Sequence, residues 1–279
     1  MPTPIETYEV SNWLIPKIPE TIFFKYISAI LSFATLYTFA VLINRMNSRL
    51  AIIENGYQSP GILFIILTGV YINIQRFLPE TAASFALFFA IIRIFYSYNK
   101  KKAYSNMLDT GIFSAIAIFL FHKLIFFIPI TIAVIIIIRP IKWREFLIYF
   151  IGLILTFTVG ITIIWIFGEP EVFFSSLKSA IGTKYTSVKY TALSGIIFIP
   201  ILVVTSISIL SKYTIKVPRK VSTRKFQTSL LLILVVLTTF FMSPHSTNES
   251  IILLFPFLSL LFANIIINAK KNFIYLIFW

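Results

Sequence analysis

The chain has 279 residues, 58% hydrophobic and 12% charged, with a mean hydropathy of +0.92. Soluble domains carry about a quarter charged residues, so this composition excludes a chain whose main solvent is water. The formal charge of +14 does not point to nucleic acid, because Lys and Arg fall in short runs between apolar segments and form no basic domain. Cysteine is absent, which excludes disulfides, thiolate metal sites and cysteine nucleophiles.

A hydrocarbon core about 30 Å thick needs about 20 helical residues, and apolar stretches near that length recur along the chain. A membrane barrel would alternate in polarity, whereas Ile132 to Ile138 is apolar on both parities. The expectation is an all-α, polytopic transmembrane helix bundle of about nine spans. Residues 1–21 read as a polar outer segment and 22–279 as a single transmembrane domain. Met1 to Glu20 carries Glu6, Glu9 and Glu20 where a cleavable signal peptide would have a basic start and an apolar core.

In chain order, the first span is expected from Ile22 to Ile43, and the second from Gly61 to just before Gln75. The third covers Thr81 to Tyr96. The fourth and fifth, Met107 to Phe121 and Leu124 to Ile138, are separated by His122 and Lys123 alone and predict a tight hairpin or a broken helix. The sixth runs from Phe146 to Phe167, the seventh from Ala192 to Leu210, the eighth from Ser229 to Met242 and the ninth from Ile251 to Ile267. Within the main outer loop, 168–190, Phe173, Leu177 and Ile181 recur every fourth residue, which predicts an amphipathic helix lying on the membrane surface. No internal repeat is evident.

Orientation follows from the positive charges, since loops rich in Lys and Arg stay in the cytoplasm. Alternate loops carry Arg45 and Arg49; Lys100, Lys101 and Lys102; Arg139, Lys142 and Arg144; the main basic loop 212–227; and Lys270 with Lys271. The intervening loops hold fewer cations together with Glu80, Glu169, Glu171 and Glu249. The basic loops are therefore expected in the cytoplasm, the N-terminus outside, and anionic lipids at the cytoplasmic face.

Ionisable groups inside a membrane cost about 2.5 to 3.5 kcal/mol at a helix centre, so each one invites a functional reading. On the cytoplasmic side Arg93, Arg139 and Arg144 are candidates for binding a substrate or lipid phosphate, because the planar guanidinium fork matches phosphate oxygens, with Asp109 expected to pair with Arg93 and help it hold the head group. The competing reading makes Arg93 a snorkelling side chain and Arg139-Pro-Ile-Lys-Trp-Arg-Glu145 an interfacial anchor, with Pro140 ending one helix and Trp143 in the headgroup zone. On the outer side Glu80, Glu169 and Glu171 are candidate general bases, with Arg76 and His245 as phosphate-binding partners. Ordinary exposed loops contain the same groups. The two histidines, His122 and His245, lack metal-ligand spacing, so no metal is expected. No nucleotide-binding or nucleophile motif appears, and no cofactor is expected. Asn73, Asn264 and Asn268 are expected to serve helix packing.

From Phe77 to Gly152 the order Phe-Leu-Pro-Glu, Arg-Ile-Phe-Tyr-Ser-Tyr-Asn-Lys-Lys, Leu-Asp-Thr-Gly and Arg-Pro-Ile-Lys-Trp-Arg-Glu-Phe-Leu resembles a Bacteroidota family of polytopic inner-membrane proteins classed as a domain of unknown function. Ser243 to Asn248 and the following Phe-Pro-Phe-Leu-Ser are similar to that family's C-terminal part. The resemblance implies a bacterial inner-membrane address and no established activity. Family members usually begin with an additional apolar helix, which would place the N-terminus inside without changing the loop assignments.

Three functions fit this inventory. The sparse buried polar groups favour an envelope-associated membrane component that packs against partner helices. The outer loop and its carboxylates suit a polyprenyl-phosphate-dependent glycosyltransferase, and the basic inner mouth suits a transporter or flippase for an anionic lipid-linked substrate.

Overall fold

The computed structural model describes residues 22–53, 59–69, 79–140, 142–167, 170–181, 221–241, 248–264 and 266. These residues are helical and contain no strand. The helices are α1 (Ile22–Leu50), α2 (Ser59–Gly69), α3 (Pro79–Tyr96), α4 (Tyr104–Leu120), α5 (Ile128–Ile138), α6 (Trp143–Phe167), α7 (Pro170–Ile181), α8 (Val221–Phe241) and α9 (Phe255–Asn264). Short 3-10 turns at His122–Phe127 and Asn248–Leu253 lead into α5 and α9. Among the described residues, four helices are long and apolar enough to cross a bilayer: α1, α3, α6 and α8. The chain is a helical membrane-embedded protein. The expected seventh span, the N-terminal segment and most of the basic loop 212–227 lie outside the described residues.

Local chemistry sets the helix limits. Pro79 opens α3, where its missing N–H breaks no helical bond, and Glu80 follows in the first turn, at the positive end of the helix dipole. Asn99 adopts a left-handed conformation (φ 59°), which an Asn side chain tolerates and which reverses the chain between α3 and α4. Pro140 disfavours helical geometry at Arg139, which is extended at φ −133° and ψ 149° and so ends α5. The expected break between the fourth and fifth spans is a 3-10 turn from His122 to Phe127.

The core is a layer of α3, α4, α5, α8 and α9 centred on Phe88, Phe95, Val134, Leu234 and Phe257. Of the most apolar 18-residue stretches, 67% of that in α3 and 56% of that in α8 is buried, against 17% in α6 and 22% in α1. Helices α3 and α8 are therefore interior, whereas α1 and α6 present apolar faces outward, as lipid-facing helices do.

The tightest pairing joins α4 to α6, and it depends on glycine. A Cβ on Gly152 would lie 2.5 Å from the Leu108 carbonyl oxygen, and one on Gly111 would collide with the Tyr149 carbonyl oxygen. Further along, Gly160 lies against the Phe119 ring. Between lipid-exposed helices the hydrophobic effect supplies little association energy, so close backbone approach and dispersion must hold the pair. The buried bond between Thr131 and the Tyr149 hydroxyl, at 2.8 Å, ties α5 to the same face of α6. Gly152→Leu should separate α4 from α6 and lower the apparent Tm in detergent by several degrees, while Leu155→Ala on the exposed face changes it little. Equal shifts for the two variants would refute a glycine-dependent crossing.

Candidate functional site

Contacts between distant connections gather them at the ends of the bundle. One end is basic. Arg49 at the close of α1 lies 6.0 Å from the Tyr96 ring, Lys225 lies 5.7 Å from the Tyr98 ring, and the Lys142 ammonium donates to the Lys101 carbonyl at 3.0 Å. The structure thus gathers at one end cations from four connections that are far apart in sequence.

Arg139 is the centre of this end. It is 4% exposed, and its guanidinium turns inward. One terminal nitrogen donates to the Ser97 carbonyl; the other donates to the Lys100 carbonyl and to Glu145 Oε1, both at 2.9 Å. Glu145 stands in the first turn of α6 and is 2% exposed. A single side chain thus satisfies carbonyls of the α3–α4 turn and closes the α5–α6 corner through an ion pair. Asn106 extends the network, donating to the Arg93 carbonyl at 3.0 Å and accepting from Lys100 at 3.2 Å.

The other cytoplasmic-side candidates lie apart from this buried centre. Arg93 pairs with Asp109 at 3.3 Å in a partly exposed position. Arg144 is exposed, with its guanidinium 5.6 Å from the Trp143 ring. Arg139 therefore faces protein acceptors, while Arg144 faces outward.

The opposite end carries Glu80, His122, Lys123 and α7. Phe173 of α7 stacks on Phe119 at 5.3 Å and meets the His122 ring edge-on at 5.0 Å, so the first turns of α7 cap the α4–α5 connection. Leu177 packs onto this cluster, while Glu171 and Lys178 are exposed, in keeping with the amphipathic pattern read from the sequence. His122 is 5% exposed, its Nε2 has no partner among the described residues, and burial pushes its pKa below 6.5. Burial also lowers the Lys123 ammonium, with Glu80 acting in the opposite direction. Arg76, Glu169 and His245 lie outside the described residues. Among the described residues no group of His, Asp and Glu has the arrangement of a metal site.

Several polar groups that sequence reading passed over organise the ends. Asn44 accepts from the Gly61 N–H at 2.8 Å, Asn47 accepts from the Ile53 N–H at 3.0 Å, and Gln227 donates to Asn264 at 3.3 Å. Asn264 serves helix packing, as expected; Asn73 and Asn268 lie outside the described residues. The glycine crossing left a legible signal in Gly152, Thr156 and Gly160, small residues spaced by four.

Comparison with family models, with curated proteins and with solved structures finds no match to this chain.

Removing one member of a buried ion pair strands the other, whereas a partly exposed pair contributes little. Glu145→Ala should therefore destabilise the protein by about 3 to 5 kcal/mol and Asp109→Ala by less than about 1 kcal/mol, read as unfolding in detergent. Arg139→Met combined with Glu145→Leu should recover only part of the loss, because it removes the unpaired charge but also the donors to the Ser97 and Lys100 carbonyls; comparable effects from Glu145→Ala and Asp109→Ala would contradict this ranking.

His122 binds a proton less readily folded than unfolded, so its neutral form carries full stability above pH 6.5, and stability falls as the pH drops below that value. Among the described residues, the charged groups on this side are its chain neighbour Lys123 and Glu80, which acts on Lys123. The Tm should drop between about pH 7 and about pH 5, and His122→Phe should flatten that slope. A slope unchanged in His122→Phe would assign the acid sensitivity to the carboxylates.

Proposed function

We propose that this chain is a multi-pass protein of a bacterial inner membrane, with its basic end in the cytoplasm, acting as a component of an envelope-associated membrane complex. The observation that carries this reading is the contrast between the interior and the outer faces of the bundle. At the basic end the buried charges meet partners within the chain, as Arg139 does with Glu145, so they serve to hold helices together. On the outside, α1 and α6 present long apolar faces that the other described residues leave uncovered, suited to lipid and to partner helices.

The gathering of cations from four connections at one end supports the cytoplasmic assignment, because the positive-inside rule acts on such loops. The full reading has about nine spans, with α7 lying in the outer interface. Membership of the Bacteroidota family resembled by Phe77 to Gly152 belongs to the same proposal. The glycosyltransferase alternative depends on Glu80, Glu169 and Glu171, and the transporter alternative on Arg93 and Asp109. The inward pairing of Arg139 with Glu145 favours the component over the transporter, because it takes a candidate phosphate ligand out of reach.

The absence of cysteine makes the test clean, because single cysteines introduce no background. Cysteine at Lys101 should react with an impermeant maleimide only from the cytoplasmic side, and cysteine at Lys178 only from the outside. A photo-crosslinker at Ile163 or Ile166, both outward on α6, should yield a discrete protein adduct that a crosslinker at buried Tyr149 does not. Labelling of both cysteines from one side would overturn the topology; a protein that stays monomeric under gentle extraction and forms no α6 adduct would overturn the assembly role.

A further inference from the structure

We propose that the α3–α4 turn and the start of α6 together form a binding site for one anionic phospholipid. In this site Lys101, Lys102, Lys142 and Arg144 receive the headgroup, and the outer groove of α6 receives an acyl chain. The proposal deepens the reading above, resting on the placement of the basic end at a membrane surface.

The headgroup region is assembled by the fold. Lys101 and Lys102 follow the left-handed Asn99, and Lys142 and Arg144 follow the Pro140 corner; all four are exposed. Two contacts join these segments. Arg139 binds the carbonyls of Ser97 and Lys100, and Lys142 donates to the carbonyl of Lys101. The described carboxylates at this end, Asp109 and Glu145, are engaged by Arg93 and Arg139. The exposed cations therefore present a positive field suited to a phosphodiester.

The tail region continues directly from it. Trp143 is 66% exposed beside Arg144, where an amphipathic ring suits the headgroup level. From there Leu147, Ile151, Leu155 and Val159 follow at four-residue spacing, all exposed, forming one apolar stripe along α6. Among the described residues, Ile151, Ile154, Leu155, Thr158 and Val159 line an open, shallow groove of about 330 Å³ along α6. At 1.5 Å per residue the groove begins roughly 12 Å from Trp143, within the depth of one leaflet of a core about 30 Å thick. A free phosphate would use the cations and leave the groove unused. A zwitterionic lipid would use the groove and gain little from the cations. An anionic phospholipid engages both.

Arg139 is a positioning residue in this site, since it fixes the spacing of the two turns without facing outward. That role separates a built site from diffuse surface charge. Glu145→Gln raises the net charge by one, so simple electrostatic attraction would strengthen lipid binding, whereas loss of the turn-to-turn staple weakens it.

The full-length protein, purified in detergent, is titrated with phosphatidylglycerol and with phosphatidylcholine, and bound lipid is counted by native mass spectrometry. The expected result is preferential retention of one phosphatidylglycerol. Lys101→Gln with Lys102→Gln should weaken that binding by about fivefold per charge. Leu155→Trp should weaken it by filling the groove, Glu145→Gln should weaken it despite the added positive charge, and Lys178→Gln at the far end should leave it unchanged. The lysine variants alter only exposed residues, so they decide the matter even where Glu145→Gln fails to fold. Equal retention of the two lipids, indifference to the lysine pair, stronger binding in Glu145→Gln, or full competition by soluble glycerol phosphate would each overturn the proposal. These readouts do not depend on which side of the membrane the basic end faces, so failure of the lipid site and failure of the topology are distinguishable.

Discussion

Every backbone carbonyl at the end of a helix in an apolar bundle needs a donor, and water is scarce where helix ends are packed against one another. At the basic end of this protein Arg139 meets that requirement for the turn after α3 while its charge is balanced by Glu145. The position of α6 depends on this arrangement, because Glu145 belongs to its first turn and Arg139 to the last residue before Pro140. Once α6 is anchored there, Gly152 and Gly160 come into register with Leu108 and Phe119 of α4, and the crossing closes.

Two kinds of contact therefore divide the work along the bundle. Near its ends, polar side chains bond to backbone groups of neighbouring connections: Asn44 and Asn47 after α1, Asn106 at the Arg93 carbonyl, and Gln227 at the Ile52 carbonyl. Toward its middle, dispersion between closely apposed apolar surfaces prevails, as in the rings of Phe39, Phe64, Phe88 and Phe257. The division follows from the solvent. A polar bond in hydrocarbon must be complete to be tolerated, so it is placed where backbone donors and acceptors are already available.

This division also explains how the two ends differ. The basic end is knitted by Arg139 and presents its remaining cations outward. The opposite end is closed by an aromatic lid, Phe173 on Phe119 and His122, with Glu171 and Lys178 on the exposed side of α7. The proposed phospholipid site lies at the first, whereas the second is a largely apolar seal.

The amino-acid sequence by itself determined the helical class, the membrane as solvent, the break at His122, the amphipathic run through Phe173 and Leu177, and the separation of basic from less basic connections. All of these arise from composition, short-range periodicity and backbone chemistry, which neighbouring residues express without any partner. Glu145 was legible as the end of an interfacial anchor, yet the tertiary structure made it the partner of Arg139, because Pro140 turns the chain so that the two face each other. The same holds for Arg139 itself, which as a residue type suits a phosphate and in place grips Ser97, Lys100 and Glu145. Which cations remain outward, which glycines lie at a crossing and which apolar faces stay uncovered were decided only when distant segments packed together. A side chain's role in a membrane follows from which acceptor reaches it first, and that is a property of the fold.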